Sequence, residues 1–116
     1  MPHAVLEGSI ELEAVLGRIS PVLINEGTTI LKVSEAFMNG TRSTILLESL
    51  VIEQGVKRSF FAAISKRDDG VVVRIYPTCD VERTRGVFRL IAEIAKRLIA
   101  IVPGLRVGKT NLQEYL

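Results

Sequence analysis

The apolar positions of residues 81–102 recur at three- and four-residue spacing, which is the period of an amphipathic helix. Charged side chains such as Arg89 fall on the opposite side, Asp80 can cap the start, and Pro103 with Gly104 ends the pattern. The pattern predicts a long helix over 81–102 that must lie on a large apolar surface. The apolar stripe consists of Val87, Leu90, Ile91, Ile94, Ala95, Leu98, Ile99 and Val102.

Upstream of this helix the pattern is that of β-strands separated by turn-forming pairs. The turn signals are Asn39-Gly40, Gln54-Gly55 and Asp69-Gly70, and short turns between successive runs indicate an antiparallel meander. A shorter run over 3–8 (HAVLEG) predicts a first strand. The four longer runs are Thr28–Met38, Ser43–Glu53, Val56–Lys66 and Val71–Pro77.

Residues 9–19 fit both a strand and a helix. A helix is favoured because Ser9 can cap it, acidic residues occupy its first turn, and Ser20-Pro21 can end it. The β-α-β-β-β-β-α order then predicts an α+β fold, a two-layer sandwich in which an antiparallel sheet of four to five strands carries two helices on one face. We expect one domain over 1–116, with residues 103–116 as a C-terminal tail that docks on the body or on a partner subunit.

Two-residue loops at the three turns would fix which residues share a face of the sheet. One face would meet the helices. The other would carry a polar row of Glu35, Thr44, Ser65 and Arg74, together with Glu48, Lys57 and many apolar side chains. Monomers rarely expose so large an apolar patch, so something is expected to cover it. Its apolar members would be Leu31, Val33, Phe37, Leu46, Leu50, Ile52, Phe61, Ala63, Val72 and Tyr76.

Three partners could cover this second face. A second copy of the chain is preferred, because symmetric association is the commonest use of such a patch, and a homodimer is the expected assembly. A small ligand held against the open sheet is the alternative. Nucleic acid comes third. The residues expected to form the interface or ligand site are Glu35, Leu46, Glu48, Phe61, Arg74 and Tyr76.

Charge is unevenly distributed along a chain whose net charge is only +2. Residues 1–55 hold seven acidic and three basic side chains, whereas residues 82–116 hold seven basic and three acidic ones. Arg83 and Arg85 oppose the dipole at the predicted helix start and are the best anion-binding candidates. No basic run is interleaved with aromatic residues, so mutual neutralisation of the two halves is favoured over binding of nucleic acid.

The order strand, helix, four strands, helix resembles one half of the TATA-box-binding protein family. The resemblance implies a curved sheet that meets the DNA minor groove and kinks it with apolar wedges. Glu35 and Glu48, placed on the corresponding face, would repel the phosphates. The resemblance is one of fold order alone, and it carries no functional motif.

The sequence contains few candidate catalytic residues. A nucleophilic Cys79 would need a histidine base, and the single histidine is His3 near the amino terminus. The segment 104–110 (GLRVGKT) is one residue too short for a phosphate-binding loop and follows a helix instead of a strand. We therefore expect no catalytic residues, no metal and no cofactor.

Composition completes the sequence-based prediction. Hydrophobic residues make up 47% of the chain and mean hydropathy is +0.31, which is ample for a core. No secretory leader or membrane span is apparent, so a cytoplasmic protein is expected. The sequence as a whole predicts a small, non-enzymatic, self-associating domain that acts as a homo-oligomer through the second sheet face.

Overall fold

One antiparallel sheet of seven strands curls into a half-barrel around a single long helix in the computed structural model, which describes residues 1–116. The spatial order of the strands is β2-β3-β4-β5-β6-β1-β7. A short 3-10 turn over Gln113–Tyr115 follows the last strand. The elements are β1 (His3–Glu7), α1 (Leu12–Leu16), β2 (Val22–Glu26), β3 (Thr29–Met38), β4 (Thr44–Glu53), β5 (Val56–Arg67), β6 (Gly70–Ile75), α2 (Arg85–Ile101) and β7 (Arg106–Thr110).

The predicted two-layer sandwich with four to five strands and two helices is therefore wrong. Two strands at the edges of the sheet were not foreseen: β2, which pairs with β3, and β7, which pairs with β1. Each has only five residues and lacks a clear alternating pattern, so pairing with a distant strand, not local propensity, makes it extended. The first helix is also shorter than the predicted 9–19. It has five residues, and no side chain caps it.

Helix α2 begins four residues later than the sequence pattern predicts. Its N-cap is Thr84, whose Oγ1 accepts a hydrogen bond from the N–H of Val87 at 3.3 Å, so Asp80 is not the cap. Its apolar stripe is buried from Val87 to Leu98, whereas Ile99 and Val102 at its end are partly buried. The core is one cluster that contains residues from both helices and from every strand except β7, as well as Leu105 and Leu112 of the C-terminal segment.

The three hairpin turns differ in how closely they match the predicted two-residue loops. The Gln54-Gly55 loop is confirmed, since Glu53 pairs with Val56. Met38 instead pairs with Ile45, so the loop after β3 is longer than Asn39-Gly40. The Asn39 Oδ1 atom holds this loop by accepting the N–H groups of Ser43 and Thr44 at 2.9 and 3.1 Å. At the last turn Arg67 pairs with Gly70, so the loop is Asp68-Asp69.

A β-bulge in β3 exchanges the faces of that strand. The register with β4 shifts between Val33 and Ala36. Leu31 and Val33 consequently lie in the core, completely buried, although the two-residue-loop prediction placed them on the open face. The predicted polar row is also wrong, because Arg74 lies opposite Ala63 and not opposite Ser65. One extra residue in a strand is enough to produce this exchange, because side chains alternate with period two.

The C-terminal segment packs on the body of the same chain. The Thr110 hydroxyl donates to the backbone oxygen of His3 at 2.7 Å, and Leu105 and Leu112 are 5% and 2% exposed. This segment thereby extends the sheet beyond β1 and closes one end of the core. None of the helices is both long enough and apolar enough to cross a membrane.

Candidate functional site

The face of the sheet that points away from α2 is called the outer face here, and it is rich in apolar side chains. Ala63 and Val5 on this face are buried by their neighbours, whereas Phe37 and Phe61 remain 48% and 37% exposed. A sheet face that contacts only water would alternate toward polar residues. The apolar side chains of the outer face are Val5, Leu23, Ile30, Phe37, Leu46, Leu50, Ile52, Phe61, Ala63 and Val72.

A row of directly opposed residues crosses five strands at the centre of this face. The pairs Phe37–Leu46, Leu46–Ala63, Ala63–Arg74 and Arg74–His3 place these five side chains in one line. Cross-strand neighbours of this kind lie within about 5 Å of each other at Cβ. Arg74 is therefore the single permanently charged group in a row that is otherwise apolar or aromatic.

Arg74 has one polar atom whose hydrogen-bonding capacity is unused. Its Nε is buried from solvent and finds no hydrogen-bond acceptor within the chain. Arg74 also forms no ion pair, although six ion pairs occur elsewhere in the protein. A buried donor that has given up water without gaining an acceptor costs about 1–3 kcal/mol. An acceptor supplied from outside the chain would remove that cost.

The structure brings most of the predicted interface residues together. Leu46 and Arg74 lie in the central row, and Phe61 pairs with Glu48 in the neighbouring row. Tyr76 extends that row, since its N–H donates to the backbone oxygen of Phe61 at 2.8 Å. Glu35 lies in the bulge of β3 and is exposed, as is Glu48. Neither carboxylate forms an ion pair or a hydrogen bond with another part of the chain.

A groove of about 510 Å³ borders the outer face where β6 ends. Sequence reasoning missed this site because it depends on the path of the chain after β6, which no local pattern reveals. The Cys79 Sγ accepts the N–H of Phe61 at 3.4 Å, and it thereby holds the loop beside β5. Nine residues line the groove, and those on which its chemistry depends are Glu48, Leu50, Ser59, Phe61, Cys79 and Asp80.

The predicted anion site at Arg83 and Arg85 has a different environment from the one expected. The helix start beside them is already occupied by the Glu53 carboxylate, which accepts the N–H of Gly86 at 2.9 Å. The Arg85 guanidinium lies over the ring of Tyr115, with 5.9 Å between its central carbon and the ring centroid. Arg83 has neither an ion pair nor a hydrogen bond. The two arginine side chains therefore do not form a shared anion site at the helix start.

The outer face combines apolar side chains with a few charged ones. No group of three or more His, Cys, Asp or Glu side chains is arranged to hold a metal ion. The outer face offers apolar area, the cations Lys32, Lys57 and Arg74, of which Arg74 has an unused buried donor, and two unpaired carboxylates. Comparison of the chain with models of protein families, with curated proteins and with solved structures gives no match.

Proposed function

We propose that the protein is a small self-associating domain whose outer face meets the outer face of a second copy. The observation that carries the proposal is the buried and unpartnered Nε of Arg74. This atom lies in a row whose other members are His3, Ala63, Leu46 and Phe37. A carboxylate brought by a second copy would satisfy it while the apolar side chains around it lose contact with water.

The charges of the outer face are self-complementary. The face carries Arg74, Lys32 and Lys57 together with the unpaired and exposed carboxylates Glu35 and Glu48, and Arg74 is the cation with a buried donor that lacks an acceptor. In a two-fold assembly each patch meets its own copy, so one carboxylate–arginine contact occurs twice. An ion pair between arginine and carboxylate in a dehydrated interface is directional, and it therefore selects one orientation of the two sheets.

Apolar contact would supply most of the free energy of association. Phe37 and Leu46 are the large apolar side chains of the central row, and Phe61 lies in the row beside it. Burial of apolar area contributes roughly 25 cal/mol per Å² before the cost of association is subtracted. A specific interface needs about 800 Å² from each partner, which is about an eighth of the 6367 Å² surface of the chain.

The test is the solution mass by light scattering across a dilution series. The wild-type chain is expected to reach a mass of about twice 12.8 kDa at high concentration and to dissociate on dilution. Leu46→Arg should give 12.8 kDa throughout, because it places an unpaired charge in the interface. Val107→Arg is the matched control. Val107 is 41% exposed on β7, away from the central row, so this variant should associate like the wild type.

Charge reversal separates the ion pair from the apolar contact. Arg74→Glu should weaken association because it places like charges opposite each other. Adding Glu35→Arg and Glu48→Arg to the same chain should restore association, because the positions of the cation and the carboxylates are then exchanged. A wild-type chain that remains at 12.8 kDa at the highest concentration would contradict the proposal. Unchanged association in Leu46→Arg would also contradict it, because the interface would then lie elsewhere.

A further inference from the structure

Strand β5 is longer than the strand that pairs with it on one side. β6 covers residues 62–67 of β5, and the N–H of Tyr76 continues the pairing only as far as the backbone oxygen of Phe61. The first residues of β5, from Val56 to Phe60, therefore pair with β4 alone. The seven-stranded sheet thus contains a free edge, meaning backbone without hydrogen-bonding partners, at an interior strand, and the segment after β6 passes beside it, with Glu82 at 3.4 Å from Arg58.

The direction of the backbone groups shows which of them are free. The N–H and C=O of Phe61 both point away from β4, toward Cys79 and Tyr76. Alternate residues of a regular strand point to the same side, and the β4–β5 register has no irregularity. The N–H and C=O of Lys57 and Ser59 consequently point to the free edge. These two residues are exposed, and no other part of the chain bonds to their backbone.

The groove beside this edge is acidic in a protein whose net charge is positive. Glu48 and Asp80 line it, and no lysine or arginine is among its nine lining residues. Neither carboxylate has an ion pair or a hydrogen bond within the chain. Phe61 and Leu50 provide an apolar surface between them and the strand edge.

We propose that this groove binds an extended peptide segment with basic side chains, which adds to the sheet along Lys57–Phe60. Backbone hydrogen bonds to Lys57 and Ser59 would give affinity, as in other cases of strand addition. Alternate side chains of the peptide would reach Glu48 and Asp80, and these two carboxylates make lysine or arginine the preferred residue. The intervening side chains would point away from the groove.

The two outer edges of the sheet differ in charge from this site. Edge strand β7 carries Arg106 and Lys109, which discourage pairing with a basic segment. The pocket between β2 and α2 is lined by Lys96 and Arg97, and its one carboxylate, Glu93, is paired with Lys96.

The β5 edge carries Lys57 and Arg58 itself, but Arg58 is paired with Glu53 and Glu82, and of the three edges β5 is the one that adjoins a groove lined by two carboxylates without ion pairs. The inference does not depend on self-association.

The probe is the peptide acetyl-Thr-Lys-Val-Lys-Val-Thr-amide, titrated into the ¹⁵N-labelled full-length chain at a concentration where light scattering gives the monomer mass. A short strand of this kind is expected to bind with a Kd between about 10 µM and 1 mM. The amide shifts of Lys57, Ser59 and Phe61 should move. At saturation the N–H groups of Lys57 and Ser59 should exchange with solvent at least about tenfold more slowly.

Two modified peptides distinguish strand addition from simple charge attraction. Each peptide is N-methylated at one of the two alternating sets of residues. In one peptide the methyl groups replace the N–H hydrogens that would point toward β5, and in the other they replace those that would point away from it. We expect one of them to bind like the parent and the other to lose at least about tenfold in affinity. Equal binding of both, or of acetyl-lysine-amide alone, would overturn the proposal.

Protein variants test the acidic lining. The double variant Glu48→Gln/Asp80→Asn should bind the parent peptide with an affinity that is lower by about tenfold or more. The variant Asp68→Asn, at the far end of β5, should bind the peptide with unchanged affinity. Ser59→Pro removes one free N–H from the edge and should also weaken binding. Amide shifts that instead map to β2 or β7 would overturn the assignment. The peptide titration remains valid if the chain proves to be monomeric at every concentration, because peptide binding does not require self-association.

Discussion

The Glu53 carboxylate accepts the backbone N–H of Gly86 at 2.9 Å, so the last residue of β4 caps the first turn of α2. The same carboxylate accepts the hydroxyl of Thr84 at 2.5 Å and pairs with Arg58 at 3.5 Å. A helix start exposes N–H groups without partners and carries a partial positive charge. Glu53 satisfies both needs, which explains why no acidic residue is required in the first turn of α2 itself.

Glu53→Ala should lower the free energy of unfolding by about 1–3 kcal/mol, because it leaves the Gly86 N–H and the Thr84 hydroxyl without this acceptor. Chemical denaturation followed by circular dichroism measures the change. Glu82→Ala is the control. It removes the other carboxylate beside Arg58, but Glu82 is 72% exposed, and it should cost less than about 1 kcal/mol. Equal losses in the two variants would contradict the capping role.

Gly86→Ala should destabilise the protein, although alanine favours helices by about 1 kcal/mol over glycine. A Cβ at this position would lie 2.7 Å from both the Val51 Cγ1 and the Glu53 Cδ. Overpacking of this kind typically costs about 1–3 kcal/mol and should outweigh the gain in propensity. Denaturation midpoints measure the balance. Gly17→Ala has no atom within 4 Å of the new Cβ and should be neutral or slightly stabilising; a similar result for Gly86→Ala would show that the contact relaxes freely.

Leu112→Ala should cost about 2–5 kcal/mol, because Leu112 is 2% exposed and belongs to the main core although it lies four residues from the C-terminal end of the chain. Thermal and chemical unfolding measure the loss. Leu23→Ala is the matched control, since Leu23 is 67% exposed on edge strand β2 and should change stability by less than about 0.5 kcal/mol. A small loss at Leu112 would mean that the C-terminal segment contributes little to the core.

Arg74→Met should have opposite effects on folding and on association. In dilute solution it should raise the free energy of unfolding by about 1 kcal/mol, because methionine has no buried donor that lacks an acceptor. At high concentration it should weaken the proposed dimer, because the carboxylate of the second copy would lose its cation. Denaturation and light scattering at matched concentrations measure the two effects. A variant that is less stable at every concentration would show that Arg74 already has its acceptor within the folded monomer.

The sequence by itself determined the features that depend on neighbouring residues. The 3.6-residue period of Leu90, Ile94 and Leu98 specifies α2, and these three side chains are completely buried. The Gln54-Gly55 pair specifies its two-residue turn, and the period of two specifies strands β4, β5 and β6. Each signal lies within a few residues, so no knowledge of distant contacts is needed.

Only the tertiary structure decided how these strands are completed and which side chains share a face. Strands β2 and β7 become extended because β3 and β1 offer them paired edges. The bulge between Val33 and Ala36 shifts the register of β3 on β4, and the Asp68-Asp69 turn sets the register of β6 on β5, so that Arg74 lies opposite Ala63. These outcomes depend on pairing between distant segments, and a one-residue change in register moves every later side chain to the opposite face. The unpartnered donor and the free edge of β5 are therefore properties of the fold, although every residue involved can be read from the sequence.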